Sequence, residues 1–131
     1  MIVVDASVLA NAVADDAADG VLARRALLGE DLAAPDLVDV ETVSVLRRRW
    51  LGGALSARRF RAAVDDLGDL PVLRHPTLPL MRRAYELRAN LTAYDAAYVA
   101  LAEGLGCRLL TGDAHLARAP GPRCEIQLLA P

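Results

Sequence analysis

The sequence contains no lysine, and all fifteen of its basic residues are arginine. That absence removes the chemistries that need an ammonium group. A Walker-type phosphate loop cannot be built, because its G-x-x-x-x-G-K pattern requires the lysine, and Schiff-base catalysis lacks its amine. Cysteine is scarce. Cys107 and Cys124 form no metal or redox motif, suit a reducing compartment, and are expected to be small buried hydrophobes. No apolar run approaches the ~18 residues of a membrane helix. The N-terminal MIVVDAS carries an acid where a signal peptide has a basic flank, so a cytoplasmic location is expected. Neither charge sign dominates. Seventeen acids against fifteen arginines leave a net charge of -2, which argues against gripping nucleic acid over the whole surface. A local acidic site beside arginine patches remains open.

What is present is a core. With 54% hydrophobic residues in 131, the chain is one domain's worth and can bury roughly two thirds of its unfolded surface without disulfides or a structural metal. A short, fully apolar strand is expected at Ile2 to Val4, a helix from Ala6 to Ala14, and another from Gly20 to Leu28. A brief strand follows at 31–35. Asp36, directly after Pro35, is placed as the N-cap of a long helix running through Trp50 and closed by Gly52-Gly53. Ser56 opens the next helix, which ends at Gly68. Leu70 to Leu73 is the next strand, and Pro76 and Pro79 bracket the entrance to a helix reaching Asn90. Thr92 caps a helix through Glu103, Cys107 to Leu110 forms a strand, and a short helical turn leads to a last strand near Glu125 to Leu129. Unalternating apolar strands that alternate with helices describe an α/β domain. Its mainly parallel sheet should be covered by helices on both faces, with residues 1–131 forming one unit.

Four carboxylates stand where carboxylates are costly. In an open parallel sheet the ligand site lies beyond the carboxyl ends of the strands. Asp5 and Asp113 each follow a strand at that end, although each also suits the cap of the following helix. Glu41 has Leu37, Val38, Ser44 and Val45 as helical neighbours, so it lies on an apolar stripe unless an arginine answers it. Asp95 occupies the acid position of a capping-box-like start after Thr92, with Leu91, Tyr98 and Val99 around it. Four acids on one rim repel each other, and a divalent cation relieves the repulsion. Oxygen ligation without a His or Cys cluster selects a hard ion, Mg²⁺ or Mn²⁺, of the kind that serves phosphoryl chemistry.

The segments VVDASVLANAV, APDLVDVETVSVLRRRWLGG and LTAYDAAYVALAEGLGCRLLTGDAHLAR, followed by a terminal strand, together resemble the PIN-domain ribonucleases. Within them the chain looks like a VapC-type toxin of a toxin–antitoxin pair, and the resemblance spans essentially the whole chain in order. It implies a three-layer PIN-like sandwich and an acidic quartet at Asp5, Glu41, Asp95 and Asp113 that holds Mg²⁺, with Mn²⁺ as a substitute. It places Ser7 and Thr111 as hydroxyls that position water or phosphate. The implied reaction is endoribonucleolytic hydrolysis leaving 5′-phosphate and 3′-hydroxyl ends. The implied partners are RNA, a VapB-like antitoxin and a second copy of the chain. The sequence departs from some relatives in having Ala114, His115 and Leu116 after Asp113 where a further acid can stand, so one well-held ion is expected.

Arginines group at 47–49, at 58, 59 and 61, and at 82–83. These are solvated helix faces or phosphate contacts flanking an acidic centre. The apolar stretches Val21 to Leu28 and Val45 to Leu51 are candidates for contact with a dimer partner or antitoxin. His75 and His115 read as exposed or loop-packing side chains. Two other phosphate-handling classes fail: a receiver domain needs a lysine, and a haloacid-dehalogenase phosphatase needs an acid where Ser7 stands. The remaining rival is a catalytically idle PIN fold used for binding, and four mutually repelling carboxylates have no reason to persist in one.

Overall fold

The computed structural model describes residues 1–130. Among them the chain runs β1 (Ile2–Val4), α1 (Ala6–Ala14), α2 (Ala18–Leu27), β2 (Leu32–Pro35), α3 (Val38–Leu51), α4 (Ala57–Asp69) and β3 (Val72–His75). A 3-10 turn at Leu78–Leu80 leads into α5 (Met81–Glu86), α6 (Ala93–Leu105), β4 (Leu109–Thr111), α7 (Ala114–Arg118) and β5 (Ile126–Leu128). The five strands form one sheet in the order β3-β2-β1-β4-β5, with every pairing parallel. Central strands of a covered parallel sheet are buried on both faces, which is why β1 and β2 read as uninterrupted apolar runs and are wholly buried.

Helices α2, α3 and α4 gather around α1, while α6 crosses β1, β2 and β4. The sheet and its helices share a core that includes Ile2, Leu9, Val38, Tyr98, Leu109 and Leu116. A second apolar cluster of Ala10, Val13, Leu46, Leu55 and Ala63 fixes the α3–α4 hairpin to α1. The expected sandwich of a parallel sheet between helices is the architecture found. Strand order reverses at β1: β2 and β3 lie to one side of it, β4 and β5 to the other. In open α/β sheets that reversal opens a crevice at the carboxyl ends. Here the crevice lies between the ends of β1 and β4.

Several boundaries differ from the sequence expectation, each for a local reason. Asp36 does not cap α3. Its carboxylate accepts from the Thr77 backbone N–H (3.2 Å) and hydroxyl (2.5 Å), and the same Thr77 Oγ1 accepts the Leu37 N–H at 3.3 Å. Thr77 thus ties down Asp36 and Leu37 ahead of the helix, which starts at Val38 with no side-chain cap. The strand expected at Leu70 to Leu73 is shifted to Val72–His75. Leu70 closes α4, and Pro71 has no N–H to give a ladder. Arg74 is accommodated on this edge strand because its guanidinium binds Asp39 and the carbonyls of Leu67 and Val72. His75 accordingly belongs to β3 rather than to a loop, and its Nε2 is buried without a partner among the described residues.

Helix α5 stops at Glu86 instead of Asn90, since Thr92 must be extended to cap α6 through the Asp95 N–H. Strand β4 begins at Leu109, not Cys107. Gly106 adopts a left-handed φ of 64° and the Cys107 N–H returns to the Ala102 carbonyl, so both residues belong to the end of α6. Both cysteines are free and only half-buried, less enclosed than expected.

Candidate active site

The crevice is built from the backbone outward. Asp5 is the first residue beyond β1 and the N-cap of α1, and its side chain is only 6% exposed. Its Oδ1 accepts from the Ser7 hydroxyl (2.6 Å) and the Val8 N–H (3.2 Å), and its Oδ2 from the Thr111 hydroxyl (2.5 Å). Burial raises its pKa, and the hydrogen bonds from Ser7, Thr111 and the backbone recover only part of the rise. Ser7 and Thr111 are themselves locked. Ser7 Oγ accepts the Gly112 N–H at 3.0 Å, and Thr111 Oγ1 accepts the Asp113 N–H at 3.0 Å. Both hydroxyls donate to Asp5, so they act on the crevice by fixing that carboxylate and by stitching the ends of β1 and β4 together.

Asp113 is exposed, follows β4 and caps α7 through the His115 N–H at 2.8 Å. Capping and a position on the rim coexist at both Asp5 and Asp113. Asp95 is half-buried in the first turn of α6. Thr92 Oγ1 accepts its N–H at 3.2 Å, and among the described residues no bond returns from Thr92 to the Asp95 carboxylate. Its pKa is pushed up to about 6, first by burial, then by the charges of Asp113, Asp5 and Glu41, with slight relief from His115. Three carboxylates from β1, α3 and β4 are thus close enough to be felt at a fourth on α6.

Glu41 completes the group from the first turn of α3. Among the described residues no arginine pairs with it. The Tyr98 hydroxyl on α6 donates to its Oε1 at 2.7 Å. Burial raises the Glu41 pKa and the Asp5 charge adds to the rise, against the Tyr98 bond and the more distant Arg48. Tyr98 is 1% exposed, and burial followed by the Glu41 charge drives its hydroxyl far above the ordinary phenol range. It remains a neutral donor at any working pH.

Tyr98 is the residue the sequence reading missed as part of the site. A signal was available, since a tyrosine in an apolar helical stripe needs a partner for its hydroxyl. Replacing it by phenylalanine leaves Glu41 half-buried without its donor. Tyr98→Phe is expected to lower stability by about 1–2 kcal/mol, read as a lower urea midpoint at unchanged m-value.

Every donor facing the crevice from this group is an oxygen, and the donors repel one another. That set fits a hard divalent cation and does not fit a softer transition metal held by His or Cys. Among the described residues no three acid, His or Cys side chains are drawn into one tight ligand cluster. The carboxylates stand apart, as unscreened like charges do.

Fold, crevice and acidic group together define a PIN domain: the PIN domain family model matches residues 2–122, and the chain belongs to that family. Within the family it belongs with the VapC ribonucleases. It is 45% identical over 129 residues to Ribonuclease VapC1 of Mycobacterium tuberculosis, covering 97% of this chain and 96% of that protein. It is 42% identical over 130 residues to Ribonuclease VapC12 of the same species, covering 99% and 100%. Among solved structures it is similar to PAE2754 from Pyrobaculum aerophilum, with a TM-score of 0.66 and 30% identity over 95% of this chain and 81% of that one. It shares the fold of Mycobacterium tuberculosis VapC20, a sarcin–ricin loop cleaving toxin, with a TM-score of 0.68 and 21% identity over 88% of this chain and 92% of that one.

Proposed function

We propose that the chain acts as a single PIN domain over residues 1–131 and is a Mg²⁺-dependent endoribonuclease. On this reading it is the cytoplasmic toxin of a toxin–antitoxin pair, neutralised by a VapB-like antitoxin. The observation that carries the reading is the convergence of Asp5, Glu41, Asp95 and Asp113 on one crevice, with three of the four pKa values raised. Folding spends stability to keep such a group, and a binding module with no ion to hold gains nothing from it.

Asp5, Asp95 and Asp113 would hold Mg²⁺, or Mn²⁺ in its place, and Glu41 is either a fourth ligand or the base. When bound, the ion neutralises charge on the phosphate and makes water more acidic. Glu41 is suited to accept a proton from the attacking water, because burial has already raised its proton affinity and Tyr98 holds it in place. Water attacks phosphorus in line and the P–O3′ bond breaks. The products carry a 5′-phosphate and a 3′-hydroxyl, the latter protonated from solvent. Ser7 and Thr111 keep the Asp5 carboxylate aimed throughout.

The antitoxin and a second copy of the chain have exposed apolar surface to cover. Val40 and Tyr94, 73% and 60% exposed, neighbour Glu41 and Asp95 in the chain and suit the pairing of two copies. Trp50, Leu51 and Val64 on the α3–α4 hairpin suit the antitoxin. Helix α2 presents Val21, and Leu28 stands exposed directly after it. No helix among the described residues is long and apolar enough to cross a membrane.

The test is end-mapping of total cellular RNA after incubation with antitoxin-free protein. Discrete new 5′-phosphate ends are expected with Mg²⁺ and should vanish with chelator. Folded protein that produces no new ends and gains no thermal stability from Mn²⁺ would instead be the idle PIN module.

A further inference from the structure

The arginine clusters visible in the sequence are partly committed to holding the fold. Arg49 donates to Asn11 at 2.6 Å, Arg59 pairs with Asp16, and Arg83 binds Glu103 at 2.7 Å. Arg118 belongs to none of those clusters and stands beside the acidic crevice. It lies on α7, the short helix that Asp113 caps, one turn beyond His115 and on the same face. Both side chains are exposed, and among the described residues no carboxylate lies within ion-pair distance of Arg118. The pair forms one wall of a recess of about 380 Å³. Ala89 and Asn90, ahead of α6, and Ala119 and Pro120, after α7, complete the lining. The recess adjoins the acids, since the His115 backbone N–H donates to the Asp113 carboxylate at 2.8 Å.

We propose that this recess is a subsite for the RNA backbone, with Arg118 and His115 receiving a phosphodiester next to the one that is cut and Asn90 a further polar group of the same nucleotide. The proposal rests on the nuclease reading above. An RNA strand whose scissile phosphate lies over the carboxylates carries its next phosphate toward one side of them. That charge cannot rest over further acids without a large electrostatic cost. The recess offers a permanently charged planar donor with no competing carboxylate, an imidazole N–H and a carboxamide, all within one nucleotide-sized space. All of the lining but Ala119 is exposed, so the site can receive a chain passing through as well as a chain end.

The experiment compares Arg118→Ala, Arg118→Lys and His115→Gln with the wild type. Binding of a mixed-sequence single-stranded RNA is followed by fluorescence anisotropy in an Asp95→Asn background, so that binding is separated from cutting. Arg118→Ala is expected to weaken binding roughly tenfold. It should also flatten the dependence of log K on log[salt] by about 0.7, the contribution of one single-strand phosphate. Arg118→Lys should restore most of the salt slope, and His115→Gln should have a smaller effect. In the cutting-competent protein the loss should appear in KM with kcat nearly unchanged.

An unchanged affinity and salt slope in Arg118→Ala would overturn the subsite, as would a loss confined to kcat. RNA that is bound with the expected slope change but never cut by the wild type would sink the nuclease reading and leave the subsite standing. RNA that is neither bound nor cut would sink both.

Discussion

Asp95→Asn is expected to abolish RNA cleavage and, in metal-free buffer, to make the protein harder to unfold. The two effects share one cause. Asp95 is half-buried and faces the charges of Asp113, Asp5 and Glu41, which hold its pKa up at about 6. Its pKa in the unfolded chain is about 3.9. A carboxyl whose pKa is raised by folding favours the native state only while protonated. Its contribution is therefore intact below about pH 4, erodes as pH rises toward 6, and is a full penalty at pH 7.

The shift corresponds to about 3 kcal/mol, which solvent screening at a half-exposed group reduces to about 1–2 kcal/mol. Asn carries no charge and escapes the penalty. In the absence of divalent ions Asp95→Asn should thus unfold several degrees higher than wild type at pH 7 and at the same temperature near pH 4. Added Mn²⁺ should reverse the order, because on the proposed reading only the wild type has its full set of ligands to gain from the ion. Cleavage in Mg²⁺ should fall to background, readable in the same end-mapping. A variant that cuts at a near wild-type rate would end the assignment of Asp95. A variant less stable than wild type in EDTA at pH 7 would show that its charge is not under strain in the fold.

Thr111→Val is the substitution with the largest expected cost to the fold itself. The shape is nearly kept, and the hydroxyl is lost from a site with no exposure. That hydroxyl donates to the buried Asp5 carboxylate and accepts the Asp113 N–H. Removing it leaves a largely buried charge one donor short and an amide without its acceptor, and valine supplies neither. Hydrogen bonds to charged groups are worth about 1.5–3 kcal/mol and an orphaned amide about 1 kcal/mol more, so the expected loss is about 2–4 kcal/mol. For a chain of this length that is on the order of 10 °C in Tm. Thr111→Ser keeps both bonds and should recover most of the stability, which separates the hydroxyl from the packing of the methyl group. Asp5 should also ionise less readily in the valine variant, so Mn²⁺ should stabilise it less than wild type. Equal stability of the valine and serine variants would mean that the hydroxyl contributes nothing to the β1–β4 junction.

Much of this was legible in the chain alone, and for one reason. β1, the α1 cap at Asp5, the Ser56 and Thr92 caps and the Gly106 terminus are all decided by residues within four positions of one another. Local sterics and hydrogen bonding act at that range. Alternation of apolar strands with helices then left a parallel sheet as the arrangement that buries every strand. The four carboxylates were visible individually, since each sits in a local pattern where an uncompensated charge is costly.

What the tertiary structure alone decided is everything that depends on residues far apart in the chain. The partner of Glu41 is a tyrosine 57 positions away rather than an arginine. The chain entering α3 is held by Thr77, some forty positions away, and Asp36 is engaged there rather than capping the helix. The arginines that look free in sequence are paired or unpaired according to which carboxylate the fold brings to them, as Arg83 with Glu103 and Arg118 with none among the described residues. Periodicity and propensity describe one element at a time. Which elements become neighbours is settled when the apolar faces of all of them are buried together, and only that joint burial brings four acids to one crevice and turns their separate costs into one shared site.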